Sequence, residues 1–233
     1  MNYAIIAAGE GSRLSDEGIK VPKPLVEING EPMIKRLLNI FEKNKASKIS
    51  IIINNHISEV QDYIESLNYH FQLAIKVKST PSSMHSLFEM KDLIGNEAFC
   101  LSTVDTVFKE SEFNSFIEFA EKQTDKDAIM AITSFVDDEK PLFIKTNKDK
   151  IIAFADEKSD SQYVSGGIYY FRPTIWKILA QSITEGKQRM RNFQRDLLKA
   201  GLNIGFYEFS KIIDVDHTND IKAAELFINK TNN

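Results

Sequence analysis

Cysteine is nearly absent from this chain. Cys100 is the only one in 233 residues, so no internal disulfide can form, and its place in the apolar run AFCLSTV marks a buried thiol rather than a reactive one. No apolar run approaches the roughly 18 residues that a membrane span requires. The N-terminus carries no basic segment followed by an apolar core and a cleavage site, so a cytoplasmic protein without membrane insertion is expected. Positive charge is not in excess either. The formal net charge of −4 removes any broad attraction to nucleic acid or anionic lipid and leaves phosphate recognition to a few local groups. The 4 histidines are scattered without metal-ligand spacing, which argues against zinc. No repeat, low-complexity tract or linker divides the chain, and one domain over residues 1–233 is expected.

What is present alternates. Runs rich in β-branched residues, YAIIAA (3–8), KISIIIN (48–54), LAIKVK (73–78) and AFCLSTV (98–104), are separated by stretches of helical period. In one of these, Met33, Ile34, Leu37, Leu38 and Phe41 recur on a single helix face, with Pro32 placed for the first turn. This order predicts a mostly parallel sheet covered by helices, with ligands bound beyond the carboxyl ends of its strands. The second half differs. AIMAITSF, LFIKT, KIIAFA and SGGIYYF follow one another through polar turns and predict an antiparallel or mixed extension. Helices at about 173–184 and 189–200, a strand pair IGFYEF and KIIDV, and a last helix capped by Thr218 complete a three-layer α/β/α fold with a mixed central sheet.

Directly after the first run stands AAGEGSRL, residues 7–14. Gly9 and Gly11 allow a tight turn and close backbone approach, so consecutive amides can form a hollow for an anion. The segment matches only the first two glycines of the dinucleotide fingerprint, and the second strand ends in asparagines, so a dehydrogenase is disfavoured. Arg13 lies just beyond the loop, and Lys23 is held between two prolines in VPKPL. A fixed lysine near an arginine and a nest of amides suits polyphosphate, with Lys as a point charge and Arg as a planar fork; the plainer alternative is a solvated lysine in a stiff loop.

AAGEGSRL followed by PKPLVEINGEPMI resembles the signature of the sugar-phosphate nucleotidyltransferases, or nucleoside-diphosphate-sugar pyrophosphorylases. The resemblance implies a Rossmann-like, GT-A-like fold, with a nucleotide-binding half at about 1–110 and an acceptor-binding half at about 111–233. It implies a Mg²⁺-dependent enzyme that joins a nucleoside triphosphate to a sugar 1-phosphate or a phosphorylated alcohol such as choline phosphate and releases pyrophosphate. Ala7, Ala8, Gly9, Glu10, Gly11, Ser12 and Arg13 would form the triphosphate cradle, and Lys23 would meet the phosphates at the reacting centre.

Nucleotidyl transfer is governed by charge control, which directs attention to aspartates at strand ends as magnesium ligands. Asp105 ends one apolar strand, and Asp214 and Asp216 leave another in KIIDVDHTND; the plain reading of each is a turn or helix cap. Both segments are similar to the family's metal-binding pattern, with Val104 where glycine is common, Asp214 at the second metal position and Asp216 less settled. KDKIIAFADEKSDSQYVSGGIYYF resembles the family's acceptor-side pattern, which places Glu157, Lys158, Gly166 and Gly167 at the acceptor, while DEKP at 138–141 reads as a turn. Ser82 and Ser86, in STPSSMHSLFEM, resemble the base-recognition segment of the cytidylyl branch; with Ser83 they read equally well as turn and cap hydroxyls. Lys187, Arg191 and Arg195 recur every four residues and are expected on one solvated helix face. Two other classes stay open: a glycosyltransferase of related fold holding a metal on DVD (214–216), and a nucleotide-binding module without turnover. No hexapeptide repeats appear in these residues, so no second, acyl-transferring unit is expected among them.

Overall fold

Period-two alternation builds the sheet. In the computed structural model, which describes residues 1–56, 58–136, 140–158 and 160–229, β1 (Asn2–Ala7) sends Tyr3, Ile5 and Ala7 into one apolar core and Ala4 and Ile6 into the other. β1 lies between two parallel neighbours, β4 and β6, introduced next with the elements that connect them. After β1 come the short helix α1 (Ser12–Asp16), a 3-10 turn at Lys23–Leu25, the small hairpin β2 (Glu27–Ile28) and β3 (Glu31–Pro32), then α2 (Met33–Lys43). β4 (Lys48–Ile53), α3 (Ser58–Ser66), β5 (Gln72–Val77), α4 (Ser83–Glu89), α5 (Lys91–Ile94) and β6 (Phe99–Thr103) complete the parallel part, in the spatial order β6-β1-β4-β5. Cys100 is fully buried in it.

The second half adds β7 (Thr106–Val107), α6 (Glu110–Lys122), β8 (Ala128–Thr133), β9 (Phe143–Asn147), β10 (Lys150–Ala155) and β11 (Tyr163–Phe171). After them come α7 (Ile175–Thr184), α8 (Met190–Lys199), β12 (Ile204–Phe209), β13 (Ile213–Asp214) and α9 (Thr218–Asn229). β11 runs antiparallel to β6 on one side and β8 on the other, and β12 runs parallel to β8, so the sheet is mixed and continuous across both halves. The β9–β10 hairpin joins at the first residues of β11. α2, α3, α6 and α9 cover one face of the sheet and α4, α5, α7 and α8 the other, giving three α/β/α layers.

Aromatic rings fill the first core: Tyr3 stacks on Phe41 at 4.3 Å between centroids, and Phe41 on Phe113 at 5.4 Å. Each such fully buried side chain contributes about 1.5–3 kcal/mol over its exposed state. In the second core Trp176 of α7 lies parallel to Phe99 of β6 at 5.4 Å. Among the described residues no helix is long and apolar enough to cross a membrane.

Local expectations differ in three places. IGFYEF and KIIDV do not pair with each other: β12 completes the main sheet beside β8, whereas β13 turns away to pair antiparallel with β7. Nor does Thr218 cap α9. Its amide and hydroxyl both donate to Glu17, at 2.7 and 2.8 Å, and the cap is supplied by Asp220, whose carboxylate accepts the amides of Asp216 and His217. Lys187 precedes α8, so it does not share a helix face with Arg191 and Arg195. Of the DEKP turn, Asp138 and Glu139 lie outside the described residues.

Candidate active site

The loop after β1 is shaped by Gly11. It has φ +65°, and a Cβ there would stand 2.9 Å from the Cβ of Lys23, so only glycine lets the loop lie against the lysine. Lys23 opens the 3-10 turn, with Pro22 at the preceding position and Pro24 following it, and Val26 donates its amide to the Lys23 carbonyl at 3.1 Å. The backbone is therefore stiff, and the side chain reaches 82 residues along the chain to Asp105 and 193 residues to Asp216. Lys23 Nζ donates to Asp105 Oδ2 at 2.5 Å and to Asp216 Oδ1 at 2.6 Å, while Arg13 Nη1 donates to Asp216 Oδ2 at 2.7 Å.

Asp105 is positioned by the ends of two strands. The amide of Val104 donates to Ile6 of β1, and the amide of Val215 donates to the carbonyl of Asp105, both at 3.0 Å. Pairing of β13 with β7 sets Asp214 opposite Thr106, whose hydroxyl donates to Asp214 Oδ1 at 3.3 Å and meets the Thr103 hydroxyl at 2.6 Å. Gly167, at φ +73°, lies in the β11 bulge between Ser165 and Tyr169, where a Cβ would be 3.1 Å from the Thr106 hydroxyl. From α2, Arg36 stands behind this segment: it donates to the carbonyl of Phe108 at 2.5 Å, and burial pulls its guanidinium down to about 10.

Burial disfavours charge on both partners of the central pair, but their mutual attraction prevails. Burial lowers the Lys23 ammonium, yet the pull of Asp105 and Asp216 leaves it above the ordinary lysine value. Burial raises the Asp105 carboxyl, and Lys23, aided by Thr103, brings it below the usual carboxylate range. The centre is an ionised, charge-paired cluster.

These residues face a cleft of about 860 Å³, large enough for a nucleotide and a second small molecule. Ala7, Ala8, Gly9, Glu10, Gly11, Ser12, Arg13, Lys23, Asp105, Asp214 and Asp216 all line it. At one end stand Asn54, Thr80, Ser82 and Ser86. The buried Asn54 accepts from the His56 amide and the Ser79 hydroxyl, Thr80 meets Ser86 at 2.6 Å, and Ser82 meets His85 Nδ1 at 3.0 Å. At the other end Gly167, Tyr169, Arg189, Arg191 and Gln194 line the wall. Gly166 borders an adjoining small recess with Ile212.

Glu157 and Lys158 are not brought to the cleft. They follow β10, exposed and outside its lining, because the preceding Asp156 is held by Arg191 and Arg195 at 2.9 and 2.8 Å. Those two arginines are thereby not a solvated face. Lys187 is likewise paired, to Asp196 at 2.6 Å. The Arg189 side chain has no ion-pair or hydrogen-bond partner among the described residues, and the residue lines the cleft. Its signal in the sequence is the dense basic run KQRMR, but nothing there tells which member faces inward. Asn54, Thr80, Thr103 and Thr106 carried no signal of their own.

The sequence pattern of the nucleotidyl transferase family matches residues 3–229. Among curated relatives, the bifunctional protein GlmU of Prochlorococcus marinus is 22% identical over 226 residues, covering 93% of this chain and 49% of that protein. The choline-phosphate cytidylyltransferase of Streptococcus pneumoniae is 30% identical over 110 residues, 47% of each chain. The chain thus spans about half the length of the curated relatives it matches. Among solved structures, the inositol-1-phosphate CTP transferase of T. maritima superimposes with a TM-score of 0.82 at 18% identity, over 97% of this chain and 94% of that one. That likeness establishes the three-layer GT-A-like, Rossmann-type fold with its mixed sheet. With the glycine loop, the Pro-flanked lysine and the strand-end aspartates within the matched span, the chain belongs to the nucleotidyl transferase family.

Proposed function

We propose that this protein is a Mg²⁺-dependent nucleotidyltransferase that joins a nucleoside triphosphate, CTP foremost, to the phosphate of a phosphorylated polyol and releases pyrophosphate. The observation that carries the reading is the convergence of Lys23, Arg13, Asp105 and Asp216 at the floor of one cleft, beside a glycine loop. The loop from Ala7 to Ser12 and Arg13 receive the triphosphate, and Lys23 takes the phosphates at the reacting centre. Ser82 and Ser86 face the base. An acceptor phosphate oxygen attacks the α-phosphorus, the bond to the bridging oxygen breaks, and pyrophosphate leaves. A phosphate monoester is largely dianionic at neutral pH, its second pKa being about 6, so the nucleophile needs no protein base.

The donor set suits magnesium. One oxygen from each of Asp105 and Asp216 already flanks a cation, the Lys23 ammonium, and hard carboxylate oxygens together with phosphates and water are the ligands this ion prefers. Asp105 and Asp216 would hold it, with Asp214 beside them on Thr106. Bound there, the ion would withdraw charge from the phosphate oxygens.

Two features support the choice of substrates. The resemblance of STPSSMHSL and the cytidylyltransferases among the relatives favour CTP. The acceptor end has Arg189, with Arg191 beside it held by Asp156 and the Lys140 carbonyl, and the single aromatic Tyr169, a setting for a phosphate on a hydroxylated body and a poor one for a quaternary ammonium, which seeks an aromatic cage. On this reading Arg189 meets the acceptor phosphate in place of Lys158, with Gly167 shaping the wall and Gly166 in the adjoining recess.

A pyrophosphate-release assay tests the proposal, with the common triphosphates crossed against inositol 1-phosphate, glucose 1-phosphate and choline phosphate at saturating Mg²⁺. Turnover is expected with CTP and a polyol phosphate. Nucleoside diphosphate release from a nucleotide-sugar would establish the glycosyltransferase instead, and triphosphate binding without pyrophosphate for any acceptor would establish a binding module.

A further inference from the structure

We propose that the Lys23 ammonium is a resident counter-ion that keeps divalent metal off Asp105 and Asp216 until a triphosphate draws it away, so that metal and nucleotide enter together. The inference rests on the function proposed above and adds to it the order and coupling of binding.

The geometry is one of occupied positions. Lys23 Nζ sits 2.5 Å from Asp105 Oδ2 and 2.6 Å from Asp216 Oδ1, and Arg13 holds the other oxygen of Asp216 at 2.7 Å. A magnesium ion at about 2.0–2.1 Å from the same oxygens cannot share that space with the ammonium. The lysine side chain is 10% exposed, so it lacks free water to retreat into.

Partner counting then fixes the order. If metal binds alone, the carboxylates are satisfied but Lys23 and Arg13 lose their anions and face a dication. If nucleotide binds alone, the two cations move to phosphate and leave the carboxylates unpaired, facing further negative charge. Either half-exchange leaves Lys23 or Asp105, the two least exposed members of the cluster, without a counter-charge, which is unfavourable. When both arrive, carboxylates pass to metal and cations to phosphate, and every charge keeps a partner. Binding of each must therefore strengthen the other by the same factor. Gly11 and the prolines around Lys23 keep the backbone in place, so the exchange needs only side-chain torsions.

The test is Mn²⁺ binding, read by electron paramagnetic resonance of the free ion, without any turnover. Wild type without nucleotide is expected to bind Mn²⁺ weakly, and Lys23→Met at least about ten-fold more tightly, with Asp216→Asn in that background cancelling the gain. Equal Mn²⁺ affinity of wild type and Lys23→Met would overturn the proposal. Wild-type crystals keep it decidable if the variant fails to fold: soaked with Mn²⁺ alone they should retain Lys23 between the aspartates, and soaked with Mn²⁺ and an α,β-methylene triphosphate they should show Nζ on phosphate. Metal between the aspartates of the nucleotide-free wild type would overturn it too. Calorimetry with α,β-methylene analogues of each base separates the two readings. Binding of no analogue rejects the function proposed above, whereas nucleotide binding with unchanged metal affinity rejects the exchange alone.

Discussion

Asp214 and Asp216 show where sequence reading reaches its limit at the scale of single residues. Two positions apart on an extended segment, with Val215 buried between them, they point to the same side, and the family resemblance puts Asp214 at the second metal position with Asp216 less settled. In the structure it is Asp216 that Lys23 reaches, while Asp214 accepts from Thr106, and this contact between remote residues is the ground for preferring Asp216 in the proposal. Gly9, Gly11, Arg13 and Lys23 were legible because they fall in two short motifs at close, fixed spacing. If Asp105 works as proposed, Asp105→Asn lowers turnover at least about 100-fold, the scale for losing a transition-state charge stabiliser, while circular dichroism stays that of the wild type. The glycines should separate. Gly167→Ala sets a Cβ 3.1 Å from the Thr106 hydroxyl at φ +73°, and a loss of about 1–2 kcal/mol is expected in urea titration. Gly9→Ala meets nothing within 4 Å, so its stability should stay within about 0.5 kcal/mol of wild type, with any defect appearing in triphosphate affinity.

Elements read well in kind and less well in partnership. Helical and alternating periods mark α7, α8 and the strands to within a few residues, but which strand meets which depends on contacts far along the chain, and that is why β13 lies beside β7 rather than β12. The arginines of the α8 region depend in the same way on Asp156, which lies after β10. Arg189→Ala is expected to raise the acceptor KM about ten-fold or more and Lys158→Ala to leave it within about two-fold, as steady-state kinetics with the identified acceptor would show. The junction of α1 with α9 is sensitive to acid. Backbone and hydroxyl donation from Thr218, together with His217, holds the Glu17 carboxyl down to about 2, below its ordinary 4.5. A depressed carboxyl stabilises the fold above its unfolded value, and the contribution drains away as pH falls from about 4.5 toward 2. Melting temperatures across that window should decline less steeply for Glu17→Gln than for wild type.

At the scale of the whole molecule, strand and helix alternation identified the α/β class, while the insertion of β11 between β6 and β8 was invisible because it joins segments that are remote in sequence. That insertion, with Trp176 stacked on Phe99, ties the two halves through shared core. One cooperative unfolding transition is therefore expected, with the fluorescence of Trp176 and far-UV circular dichroism coinciding; separate midpoints would divide the chain into two domains. The span of the ion pairs also has a bearing on biosynthesis. Arg13 and Lys23 leave the ribosome about 200 positions before their shared partner Asp216. Lys23 meets Asp105 after only 82 positions, so during synthesis Arg13 is the group that waits for Asp216, and the full charge cluster closes only once that segment has been made.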